Sequence, residues 1–135
     1  MGSLTQNVSL RCRVGGSQSS YVAASAVYQG AMLVMLAATG NAQPAEAASA
    51  GTNGRVVGVA QTSAALGERI TAERGVYAFK NTSANPVTWA HVGSKCYAAN
   101  DAEVTADPAG GVVAGVVVDV EVEGAQTVVW VDSRY

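Results

Sequence analysis

The sequence predicts a small all-β domain, a β-barrel or β-sandwich with an extended N-terminal arm. Three observations predict it. Val, Ala and Gly dominate the 135 residues while aromatic and charged residues are sparse, and the branched Cβ of Val suits a pleated surface. The 15 glycines follow no collagen period, so they mark turns and bulges. Residues 93–132 read as strand, turn-rich loop, strand and strand, with no helix. There Asn100, Asp101, Asp107, Pro108, Gly110 and Gly111 break the chain, a Val-rich run fills 112–122, and Gly124 turns into a last apolar run at 127–131. The length fits one domain, divided into an arm over residues 1–20 and a β domain over residues 21–135.

In the arm, Val8, Leu10, Cys12 and Val14 alternate with Ser9, Arg11 and Arg13. Period two marks a half-buried strand, and residues 15–20 (GGSQSS) read as a linker behind it. Such a strand should pair with the body or with a neighbour. Residues 21–28 fit a short helix or a strand. The apolar run 31–38 is short and follows Gly30, which reads as a buried strand. Residues 39–54 form a long loop, with room for one helical turn at 44–48, where Pro44 fits a first-turn position. Strands follow at 55–60 (RVVGVA), 68–72 (ERITA) and 76–80 (VYAFK), with a turn expected at Glu73-Arg74-Gly75. A further strand is expected at 87–92 (VTWAHV), with Val87, Trp89 and His91 on one side and Thr88, Ala90 and Val92 on the other.

The glycines carry a weak internal repeat. Gly54-Arg55-Val56-Val57-Gly58-Val59 matches Gly111-Val112-Val113-Ala114-Gly115-Val116, an offset of 57 residues that Gly67 and Gly124 keep. Gly30 and Gly93 correspond as well, six residues out of step. A Gly inside a strand marks a bulge or a close backbone approach. Two such sites at one offset predict two similar β units around one core.

Charge divides unevenly. Residues 1–80 hold six Lys/Arg and three Asp/Glu, residues 81–135 two and seven. No basic cluster points to nucleic acid. Eight apolar residues are too few to span a bilayer, and Gln6 breaks the myristoylation pattern, so no membrane partner is expected. Cys12 and Cys96 make no disulfide framework and, with one His, no evident zinc site. They are expected as reduced thiols. The acidic residues Asp101, Glu103 and Asp107 lack the EF-hand spacing and read as a solvated loop. Asp119, Glu121 and Glu123 alternate with Val118, Val120 and Val122. Their row is a wet outer face, an edge that charge keeps from pairing, or a patch that meets Arg11 or Arg13 of a neighbour.

Catalysis finds little support. His91 is the only histidine, no Ser sits in a nucleophile-elbow motif, and no phosphate-binding glycine motif is present. No catalytic, cofactor-binding or metal-ligating residue is assigned. Trp89, Trp130, Tyr77 and Phe79 would suit either a core or a shelf for stacking sugars.

The order Gly93-x-x-Cys96-Tyr97, an Asn/Asp turn, Gly115-Val116 in a Val-rich strand, Gly124 and Val128-Val129-Trp130-Val131 resembles small phage and prophage capsid decoration proteins, also called structural cement proteins. The stretch Gly54–Ala60 followed by Gly75-Val76-Tyr77 resembles that family's first half. Ser94 stands where the family carries Asp, and Ala98 where it carries an aromatic. The resemblance implies a small β domain, commonly a homotrimer, that is made in the host cytoplasm. It would bind the major capsid protein on the outer surface of the expanded head and bridge its subunits, without catalysis. The residues expected to make the capsid or subunit contact are Leu4, Val8, Leu10, Arg11, Cys12, Arg13 and Val14. The alternative function is a glycan-binding β module of a virion.

Overall fold

A computed structural model describes residues 3–8, 10–46 and 52–134. The chain is all-β. Its strands are β1 (Cys12–Val22), β2 (Met32–Leu36), β3 (Ala42–Pro44), β4 (Thr52–Ala60), β5 (Arg69–Asn81), β6 (Lys95–Ala98), β7 (Glu103–Thr105), β8 (Val113–Glu123) and β9 (Gln126–Asp132). All belong to one mixed sheet ordered β1-β5-β7-β6-β8-β4-β2-β3, with β9 between β5 and β8 and a further pairing of β4 with β5. β1 and β3 lie at its ends. Pro44, which cannot donate to a ladder, sits in the end strand β3, a place strands tolerate proline.

The repeat is real in the backbone. β2 pairs with β3 and β4, and β4 with β5; β6 pairs with β7 and β8, and β8 with β9, all antiparallel. The two units meet where β4 and β8 run parallel, Arg55 opposite Val113. Gly58 and Gly115 take φ of 150° and 155°, and each lies at a register irregularity of its strand. A Cβ on Gly115 would stand 2.2 Å from the Asp132 carbonyl oxygen, and one on Gly58 3.0 Å from the Ala72 Cβ. The matched glycines therefore let two backbones approach closely.

β2 from Met32 to Val34 and β4 from Val56 to Ala60 are buried on both faces, which suits their unbroken apolar runs. Met32, Val34, Val56 and Val59 enter the main core with Phe79, Val104, Val117, Val129 and Val131. Leu33, Val57 and Ala60 enter a second core with Val27, Ile70 and Ala72.

Five local expectations change. Residues 73–75 do not turn: β5 runs through them and changes partner there, from β4 at Ala72 and Glu73 to β9 from Val76 onward. Residues 15–20 are no linker but part of β1, paired with β5 on both sides of a register shift between Gly15 and Gln18. A Cβ on Gly16 would fall 2.0 Å from the Arg74 carbonyl oxygen, so this glycine serves close packing rather than flexibility. Residues 89–91 form a 3₁₀ turn instead of a strand, because Thr88 and His91 close a capping box around it. A second 3₁₀ turn, Pro108–Gly110, interrupts the C-terminal region expected without helix, capped by Asp107. Of the helical turn expected at 44–48, Pro44 is in β3, while residues 47 and 48 lie outside the described residues.

Candidate contact surface

The residues singled out as contacts lie along one extended segment that is seated on its own body. The Leu4 amide donates to Asp101 Oδ1 at 2.9 Å. The Val8 amide donates to the Gln29 carbonyl at 2.9 Å, and the Gln29 amide returns a bond to Asn7 Oδ1. The Ala78 amide donates to the Arg11 carbonyl at 3.1 Å. Leu4 packs on the second core and Leu10 on the main one. Cys12 is exposed and pairs through its backbone with Tyr77, and the backbone of Val14 pairs with Val76. The seat is incomplete: a cleft of about 220 Å³ remains between segment and body, lined by Leu4, Val8, Leu10, Phe79 and Val128.

Arg11 and Arg13, two residues apart, cover Trp130. Trp130 is buried with Val76 and Ala78 on the face shared by β5 and β9, with Val128 against them. The Arg13 guanidinium stands 4.1 Å and that of Arg11 5.3 Å from the indole centroid. Asp119, Glu121 and Glu123 alternate along β8 and so share one face. Arg13 donates to Asp119 Oδ2 at 3.0 Å and to Glu121 Oε1 at 2.8 Å, and Arg11 pairs with Glu123 at 2.5 Å. Trp130 Nε1 donates to the same Glu121 oxygen at 2.5 Å. The hydrogen bond from Arg13 holds the Asp119 carboxyl below the usual range. The acidic row thus meets Arg11 and Arg13 of its own chain, where one of the three sequence readings places those of a neighbour.

The acidic loop is not solvated as expected. Asp101 and Glu103 are buried at 2% and 4% exposure. Asp101 anchors the segment at Leu4, and burial pushes its carboxyl up despite hydrogen bonds from Leu4 and Ser3. Glu103 Oε1 accepts from Asn100 Nδ2 at 2.8 Å, and Asp107 accepts from the Ala109 amide at 2.9 Å. Sequence reasoning missed Asp101 as an anchor because its partner is a backbone amide 97 residues away. The only signal was an Asp in a loop that an arm has to reach.

His91 Nδ1 accepts from the Thr88 amide at 2.9 Å, a capping role. Cys96 is buried, and burial pushes its thiol up to about 12, far from a nucleophile's range. Among the described residues no cluster of His, Cys, Asp and Glu suits a metal ion, and no helix is long and apolar enough to cross a membrane. Of the four residues considered for an aromatic shelf, Tyr77, Phe79 and Trp130 are buried and only Trp89 is exposed, at 60%. Comparison with protein-family models, curated proteins and solved structures found no match in any of the three.

Proposed function

We propose that this protein is a capsid decoration protein, a non-enzymatic cement that binds the outer surface of an expanded phage head, as a homotrimer, and bridges major capsid subunits. One observation carries the reading: the seating of the N-terminal segment. Exposed ion pairs add little stability, and a cleft forfeits dispersion contacts along its walls. A segment held this way can leave its seat and add to a neighbouring chain as a strand. The seat it vacates, Trp130 beside Asp119, Glu121 and Glu123, suits an equivalent basic segment from the next copy, so the same ion pairs re-form between subunits. Binding only the expanded lattice stabilises that state by mass action, and many symmetric copies multiply a modest contact.

Cosedimentation of the purified protein with expanded and unexpanded capsids tests this. Sedimentation with expanded shells alone, at a fixed ratio to capsid protein, is the expected result. Absence from both, or equal binding to both, overturns it. The glycan-binding alternative is left with Trp89 alone of its proposed shelf, too little aromatic surface for a stacking platform.

A further inference from the structure

The internal repeat buries one face in its first unit and leaves the equivalent face open in its second. Met32, Val56 and Val59 all lie in the main core. Their counterparts are Lys95, Val113 and Val116, and the pairing of Met32 with Val59 recurs as that of Lys95 with Val116. Here Lys95 is exposed and the two valines are half-buried. They line a recess of about 260 Å³ together with Asn53, Gly54 and Arg55. Arg55 reaches it because β4 and β8 meet at Arg55 and Val113.

Arg55 counters the ordinary economy of a folded chain. Its Nε is shut off from solvent and has no hydrogen-bond partner among the described residues, although buried donors are nearly always paired. No described residue lining the recess is acidic, so among the described residues two cations border it without a counter-charge in its walls. A guanidinium presents a fork that matches a carboxylate or phosphate, an ammonium adds a point charge, and apolar walls strengthen both attractions by lowering the local dielectric. We propose that this recess binds a single oxyanion, a carboxylate or a phosphate group, between Arg55 and Lys95. The site is independent of the decoration reading, since it uses neither the N-terminal segment nor its seat.

The test is NMR on the ¹⁵N-labelled full chain, titrated with sodium phosphate and separately with sodium acetate, against sodium chloride at equal ionic strength. Saturable shifts confined to residues 53–55, 95 and 113–116, with movement of the Arg55 Nε–H signal, are expected. The salt that saturates at lower concentration tells phosphate from carboxylate. Lys95→Met, which restores the first unit's residue at an exposed position, and Arg55→Gln should each weaken binding at least about tenfold, and the anion should raise the melting temperature of the unmutated protein alone. Shifts that grow without saturation in both salts overturn the proposal. So does equal affinity in Lys95→Met, which decides the matter even where Arg55→Gln fails to fold.

Discussion

At the residue scale, two side chains hold the N-terminal segment by opposite electrostatics. Arg13 joins two carboxylates and an indole face at the surface. Arg13→Ala should cost about 1 kcal/mol, the sum expected of exposed ion pairs and a cation–π contact, read by urea unfolding. In a Trp89→Phe background the emission of Trp130 should shift to the red as its cover loosens. An unchanged spectrum would mean that Arg13 does not shield the ring. Asp101 works the other way. Its pKa is raised by burial, so the folded chain binds this proton more tightly than the unfolded one. Its contribution is fully present below the unfolded value and is lost as pH rises through the folded one. Asp101→Asn keeps an oxygen to accept from Leu4 without a buried charge. Its melting temperature should exceed that of the unmutated protein at pH 7, and the difference should shrink toward pH 3. A difference that grows toward low pH would contradict the assignment.

At the scale of elements, the two interior glycines predict a ranking. Gly115→Ala places a methyl 2.2 Å from a backbone oxygen of β9, which only a shift of the strand relieves. Gly58→Ala meets its nearest neighbours at 3.0 and 3.1 Å. Both also force a positive φ on Ala. Gly115→Ala should cost at least about 3 kcal/mol and Gly58→Ala less, while Gly124→Ala, with open space around it, should cost about 1 kcal/mol, the penalty of a left-handed Ala. Chemical denaturation checks the order. A Gly58 variant less stable than the Gly115 variant would show that the close approach of β8 and β9 does not limit the fold.

At the scale of the whole molecule, β1 is the element that assembly would use. It ends the sheet, pairs among the described strands only with β5, and carries no charge from Val14 to Val22. Its stretch from Gln18 to Val22 pairs without a register shift, so it offers a regular outer edge of the kind that templates a further strand. Removing residues 1–16 leaves both repeated units in place. The chain should stay folded, expose Trp130 and lose occupancy on expanded capsids in cosedimentation. Unchanged occupancy would remove the segment from the mechanism.

The all-β class, the strands β2, β4, β8 and β9, and the paired glycines were legible in the sequence, because local periodicity and backbone sterics act over a few residues. The alternation of Asp119, Glu121 and Glu123 placed them on one face, and that of Arg11 and Arg13 did the same for the segment. Only the tertiary structure decided that these rows meet within one chain, that Asp101 and Glu103 are buried, and that β5 passes straight through Glu73-Arg74-Gly75. An alternating pattern states which side chains share a face; which chain covers that face depends on contacts about a hundred residues apart, and those exist only once the sheet has formed.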